Sequence, residues 1–253
     1  MSSSLYFENI EYEVNEDTAW IRLNRPDRLN ALTSAFYAEV KAAVRTAELD
    51  ADVNTLVILG SGRAFATGGD LDEVLGLLDT KDYLGLHAMN DSAPYDAMWN
   101  STKTLIAAVN GICMAGGLIL ALSCDIQIAA QSAVFSVPEA KTGIADRYTA
   151  GVLVPRLSLS KAKYLAFTGK AVSAVEAERI GLVTEVVPDD RLIDRVEEVL
   201  AELRETSPAA RRMYKAYFNQ LTPRADGDAF METMRTPEVV ERLYRFANRK
   251  RKS

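Results

Sequence analysis

The chain is poor in the residues that build metal centres and charge relays. Of its 253 residues one is histidine, His87, and two are cysteines, Cys113 and Cys124. A single imidazole excludes a histidine-rich metal site, and a two-cysteine, two-histidine site has too few imidazoles. A serine–histidine relay would have to run through His87. No CxxC pair occurs. With two separated cysteines and no secretory leader pattern at the N terminus, the expected setting is the reducing cytoplasm. Long apolar runs are also missing. The longest, Gly111–Leu122, has 12 residues, against the ~20 of a bilayer-spanning helix. Positive charge is in deficit: 29 Lys and Arg stand against 35 Asp and Glu, a net charge of −6. That balance argues against nucleic acid or an anionic membrane as a partner. Neither a GxxxxGK(S/T) phosphate loop nor a GxGxxG fingerprint occurs, and no repeat or low-complexity tract is visible.

What remains is an ordinary globular composition, 48 % hydrophobic and 25 % charged, in a length that suits one large domain or one domain with an appendage. Ala19–Leu23 alternates apolar and polar residues as a strand does, and Asn24-Arg25-Pro26-Asp27 ends it. Phe36, Val40, Ala43, Val44 and Ala47 form one stripe of a helix beginning near Thr33 or Ser34. Thr55–Leu59 and Leu105–Val109 are buried strands, and Asp125–Ala130 and Ala133–Val137 are strand-like. Helices are expected from Asp70, through the eighties and nineties, and from about Gly117. From Ser173 onward the pattern is mainly helical, with Leu192, Val196, Val199, Leu200 and Leu203 at helical spacing. Ala209–Leu221 and Ala229–Phe246 also read as helices, with Pro223 and Gly227 between them. Alternating elements predict an α/β core over residues 1–200, and a helical appendage over 201–253 that packs either on its own core or on a neighbouring subunit.

Two segments join a strand to a helix through glycine. One is Gly62-Arg63-Ala64-Phe65-Ala66-Thr67-Gly68-Gly69-Asp70-Leu71, the other Asn110-Gly111-Ile112-Cys113-Met114-Ala115-Gly116-Gly117-Leu118. Glycine lets a ligand approach the backbone, and a helix start presents free N–H groups and a positive dipole end. Two such groups converging on one point make an oxyanion hole. The plainer reading is a pair of turns that need glycine for packing.

These stretches, with Asn24–Leu32, Ile106–Asp125, Phe135–Ile144, Thr168-Gly169-Lys170 and Ile180-Gly181-Leu182-Val183, resemble the enoyl-CoA hydratase/isomerase, or crotonase, family. The resemblance covers roughly residues 8–190. It implies a crotonase-like spiral of repeated ββα units, with a helical C-terminal region used in trimerisation. It also implies an acyl-CoA thioester substrate and assembly as a homotrimer or homohexamer. No separate cofactor is implied, because coenzyme A is part of the substrate, and no metal. By position, the resemblance makes the Gly69 and Gly116 N–H groups the donors to a thioester enolate, and Glu139 the base.

Hydratases of the family carry a second glutamate where this chain has Ile119. Water addition needs one group to activate water and another to protonate carbon, so the loss points away from hydration. Shifting a double bond from Δ3 to Δ2 needs one base, and family isomerases resemble this arrangement. Asp146 lies where some members, including ring-forming ones, place a catalytic aspartate. It would serve a hydrolase, C–C lyase or hydratase variant, or else it caps a helix or pairs with Arg147. A non-catalytic acyl-CoA-binding subunit is a further alternative. Arg28, Ala31, Ala64, Ala66 and Gly68 match positions around the CoA moiety, and Ile119 would line the acyl site. Arg28 either meets a CoA phosphate or is a solvated turn residue. The basic run Arg249–Lys252 is either a second phosphate contact or a solvated tail. Cys113 and Cys124 read as buried core thiols, and His87 as structural or exposed.

Overall fold

The computed structural model describes residues 7–222 and 228–250. It opens with an antiparallel hairpin, β1 (Ile10–Asn15) and β2 (Thr18–Leu23), followed by α1 (Ser34–Leu49). Three times thereafter a long strand, a short strand and a helix follow one another. The first unit is β3 (Thr55–Gly60), β4 (Ala64–Ala66) and α2 (Leu71–Asp79), with α3 (Tyr83–Ser92) and α4 (Tyr95–Asn100) behind it. The second is β5 (Thr104–Val109), β6 (Ile112–Met114) and α5 (Gly116–Leu122). The third is β7 (Ile126–Ala130), β8 (Val134–Ser136) and α6 (Glu139–Thr142), continued by α7 (Arg147–Leu153) and α8 (Leu159–Thr168). Then come β9 (Val172–Ser173), α9 (Ala174–Arg179) and β10 (Glu185–Val187). The long strands build one sheet in the order β1-β2-β3-β5-β7-β10, and the short strands build a second, β4-β6-β8-β9.

This topology is the expected spiral of ββα units, and its consequence for the site is direct. β4, β6 and β8 are adjacent and parallel, with Ala66 opposite Cys113, Cys113 opposite Phe135 and Met114 opposite Ser136. Their C-terminal ends therefore lie side by side. Gly69, Gly116 and Glu139 each follow one of those ends. Residues far apart in sequence are thus brought to one edge, where α/β sheets commonly bind ligands.

Both faces of the larger sheet are covered, so its parallel strands are apolar throughout. Leu56, Ile58, Leu105, Ala107 and Val109 face the main core with Phe36, Val40 and Val44 of α1. The alternate residues Val57, Leu59, Ile106, Ala108 and Ile128 meet Leu192, Val196, Val199 and Leu200 of α10 (Leu192–Arg204). Helix α1 begins where expected: the Thr33 side chain accepts from the Phe36 N–H, a standard N-cap.

Several elements depart from the sequence pattern. The helix expected through the eighties and nineties is two, α3 and α4, because Pro94 forces Ala93 into an extended conformation. The helix expected over Ala229–Phe246 is also two, α12 (Ala229–Met234) and α13 (Pro237–Lys250), divided before Pro237. Pro223 and Gly227, expected to separate it from α11 (Pro208–Leu221), lie outside the described residues. Strand β1 alternates Ile10, Tyr12 and Val14 with Glu11, Glu13 and Asn15, a legible strand signal, whereas β4, β6 and β10 carry no clear period-2 signal, being short or embedded in the glycine segments. Helix α13 folds back onto α2 and α6, and its Val239 and Leu243 join the main core.

Candidate active site

Two adjoining cavities share lining residues at the carboxyl edge of the short sheet. An outer cleft of about 470 Å³ is lined by Arg28, Ala31, Gly69, Glu139 and Phe246, among others. An inner chamber of about 120 Å³ is walled by Tyr37, Met89, Tyr95, Gly116, Ile119 and Asp146. Gly69, Leu71, Glu139 and Ile144 border both. A larger cavity of about 660 Å³, lined by residues including Leu122, Tyr214 and Phe218, lies elsewhere and holds none of the candidate residues.

The first glycine segment is anchored by the Asn24–Leu32 motif. Asn30 is fully buried. Its Nδ2 lies 3.0, 2.8 and 3.1 Å from the carbonyls of Ser61, Ala64 and Phe65, while its Oδ1 accepts from the Arg25 N–H at 2.8 Å. Leu32 then forms a single parallel bridge with Gly69, bonding to the Gly68 carbonyl and the Asp70 N–H. A residue bridged in this way turns its own N–H to the opposite side, so the Gly69 N–H points away from Leu32. Asp70 caps α2, accepting from the Asp72 and Glu73 amides, and pairs with Arg25 at 3.3 Å.

The second segment closes on the first. Gly68 has φ +84°, and a Cβ there would sit 2.4 Å from Ala115 Cβ and 3.2 Å from the Gly116 nitrogen. The loops touch, and only glycine fits at Gly68. Ala115 has φ 53° and ψ −133°, a conformation that side-chain-bearing residues rarely adopt. Gly116 is the first residue of α5, so its N–H has no partner within the helix. Gly69, Gly116 and Glu139 all border the inner chamber.

That carboxylate sits at the start of α6. The Glu139 carbonyl accepts from the Ile144 N–H and the Thr142 hydroxyl, which fixes the turn. Its Oε2 is out of reach of water and has no hydrogen-bond partner. Burial, helped by the nearby charge of Asp146, pushes the Glu139 carboxyl up to about 8. A group with that property suits proton transfer near neutral pH. Asp146 caps α7, accepting from the Thr149 N–H at 2.7 Å and the Thr149 hydroxyl at 2.8 Å. It also lines the inner chamber. Burial raises it above the ordinary aspartate value, against the opposing pull of those bonds. Arg147 pairs with Asp96 at 3.6 Å.

The remaining candidates divide. Arg28 and Ala31 line the outer cleft. Arg28 pairs with Asp72 and, at 3.6 Å, with Asp70. Ile119 faces the inner chamber at 5 % exposure. Ala64 and Ala66 are fully buried in β4 and line neither cavity, and Gly68 contributes contact between loops. Arg251 and Lys252 of the basic run lie outside the described residues. Cys113 and Cys124 are buried free thiols, raised by burial. His87 stands 3.8 Å from Asp228, away from both cavities. Tyr37, Tyr95 and Tyr148, three walls of the inner chamber, carried no signal in the sequence beyond the helical position of Tyr37.

Two sheets whose central strands run parallel, with glycine amides and a buried acid at one edge, define a protein of the crotonase fold. Comparison with known chains agrees. A family model described as enoyl-CoA hydratase/isomerase matches residues 13–251, and the chain belongs to that family. A probable enoyl-CoA hydratase of Mycobacterium bovis is 35% identical over 219 residues, covering 85% of this chain and 82% of that one. The crotonyl-CoA hydratase of Syntrophomonas wolfei is 35% identical over 218 residues, with 85% and 82% coverage. The crystal structure of an enoyl-CoA hydratase from Mycobacterium avium subsp. paratuberculosis superposes with TM-score 0.84 at 25% identity, over 96% of this chain and 97% of that one. The chain is therefore an acyl-CoA enzyme of the hydratase/isomerase family. No helix among the described residues is long and apolar enough to cross a membrane.

Proposed function

We propose that this family member is an enoyl-CoA isomerase that moves a double bond from Δ3 to Δ2. The reading rests on one observation: a buried carboxylate oxygen without a partner, Glu139 Oε2, borders a chamber whose wall at Ile119 is apolar. In the proposed reaction the Gly69 and Gly116 amides bind the thioester oxygen. The Glu139 carboxylate takes a proton from C2; the electron pair of that C–H bond forms C1=C2, and the carbonyl pair moves onto the thioester oxygen, where the two amides meet the charge. Glu139 then gives the proton to C4: C3=C4 opens, C2=C3 forms and the carbonyl is restored. Donors aimed at an oxygen that becomes charged only on the way to the dienolate lower the barrier without tightening the ground state. Coenzyme A enters as part of the substrate, its phosphates toward Arg28 and the outer cleft.

The relatives named above carry hydratase names, and this reading rests on the resemblance, by which family hydratases have a second glutamate where this chain has Ile119. An aliphatic side chain can neither hold nor deprotonate water. A 3-enoyl-CoA should turn over much faster than a 2-enoyl-CoA is hydrated. Glu139→Gln should lower isomerisation by about 10²–10⁴-fold, the usual contribution of a positioned base. Equal turnover of wild type and Glu139→Gln would rule this mechanism out.

Asp146, on the same chamber, supports a second reading in which it is an additional acid–base group for hydration, hydrolysis or C–C cleavage. Asn preserves an N-cap, so Asp146→Asn tests its chemistry with the helix intact. A loss confined to a hydratase, hydrolase or lyase substrate favours the second reading.

Assembly as a homotrimer or homohexamer is part of the proposal. Its support is the exposed apolar row Met213, Tyr214, Tyr217, Phe218 and Leu221 on α11.

A further inference from the structure

The inner chamber contains a pair of tyrosine hydroxyls with a defined hydrogen-bond direction. Tyr95 Oη lies 3.0 Å from Tyr37 Oη and 3.0 Å from the Gly116 carbonyl oxygen. Tyr95 has one hydroxyl hydrogen, and a carbonyl only accepts. Both contacts are hydrogen bonds at once only when Tyr95 gives its hydrogen to the Gly116 carbonyl and Tyr37 gives its own to Tyr95. Burial raises both phenols above their ordinary values, so both keep their protons at neutral pH. The rings are held edge to face, with centroids 5.9 Å apart, and the Tyr148 ring centroid lies 4.8 Å from that of Tyr95.

The same hydroxyls explain why residue 116 is glycine. Its backbone is helical and needs no left-handed φ. A Cβ there would instead lie 2.3 Å from Tyr37 Oη and 2.9 Å from Tyr95 Oη. The phenols occupy the space of the missing side chain, and one of them bonds the carbonyl of the same residue. Gly116 directly follows Ala115, whose strained φ,ψ pair (53°, −133°) orients the 115–116 peptide relative to the preceding one. A hold on both the Cα and the carbonyl of Gly116 opposes relaxation of that strain, which would swing the Gly116 N–H away from the cleft.

We propose that Tyr95, oriented by Tyr37, is a positioning residue that aims the Gly116 amide at the substrate's thioester oxygen. The proposal rests on the reading of Gly69 and Gly116 as the oxyanion donors, and not on which reaction follows. It is tested with crotonyl-CoA carrying ¹³C at C1, bound to the full-length enzyme, with the carbonyl chemical shift read by NMR. Wild type and Glu139→Gln should both move that resonance downfield of free ligand, because the amides polarise the carbonyl. Tyr95→Phe should lose at least about half of the displacement. Its kcat should fall about tenfold with KM nearly constant, the scale of one lost hydrogen bond. Tyr37→Phe leaves the bond from Tyr95 to Gly116 in place and should give an intermediate displacement, which guards against misfolding of the Tyr95 variant. A full wild-type displacement in Tyr95→Phe overturns the positioning role while leaving the donors in place. No displacement in wild type overturns the donor reading, and the positioning role falls with it.

Discussion

Between about pH 4.5 and pH 8 the folded chain holds a proton on Glu139 that the unfolded chain has released, because burial raises this carboxyl from 4.5 to about 8. The folded state binds more protons in that window, so Glu139 makes stability fall as pH rises through it. Glu139→Gln removes the penalty. Its melting temperature should exceed that of wild type by more at pH 8 than at pH 5, as thermal unfolding at the two values will read. Activity runs the other way. As the proposed base, Glu139 works as the anion, so kcat/KM for a 3-enoyl-CoA should climb with pH and level off above about 8. One carboxyl thus trades stability for function.

The two glycines proposed as donors are not equivalent at the residue scale. At Gly69 a Cβ would meet only Met89 Cε, at 3.4 Å, an ordinary contact, and φ is not left-handed. Gly69→Ala should fold normally and keep its activity within about tenfold, since the donor is backbone. Gly116→Ala meets two phenol oxygens and should lose most activity. Adding Tyr37→Phe and Tyr95→Phe to it should recover melting temperature but not turnover. Parallel melts and assays of the three proteins check both statements.

At the scale of elements, α2 and α11 carry opposite lessons. Helix α2 starts beside Gly69 and depends on the Asp70 cap. Asp70→Ala removes two bonds to amides and a partner of Arg25, and should cost about 1–2 kcal/mol in urea unfolding. It should also weaken acyl-CoA binding, because the loop holding Gly69 ends at that cap. Helix α11 reverses the usual amphipathic arrangement. Arg211, Lys215 and Asn219, spaced by one turn each, face its own core and bond Thr104, Asp125 and the Trp99 carbonyl. Its aromatic and aliphatic residues face out, with Phe218 65% and Leu221 81% exposed. A patch of that kind is characteristic of a subunit contact.

On the scale of the molecule, the proposed assembly makes that outward face an interface. Sedimentation of the wild type should give a trimer or a multiple of three, and Tyr217→Asp with Phe218→Asp should give monomers. A monomeric wild type would remove the assembly proposal without touching the site.

The amino-acid sequence by itself determined the buried strands, the capped helices and the glycine segments, because these depend on local periodicity and on backbone freedom. By resemblance it also pointed to Glu139, Gly69, Gly116 and the family. Breaks at Pro94 and Pro237 were legible residue by residue but were overridden by the longer apolar pattern around them. Strands β4 and β6 were hidden because three residues are too few to display a period. The tertiary structure alone decided the neighbours: the parallel alignment of β4, β6 and β8, the fold-back of α13 over the cleft, and the phenols of Tyr37 and Tyr95 filling the space beside Gly116. Such proximities join residues distant along the chain and are set by packing, which leaves no periodic trace in any one segment.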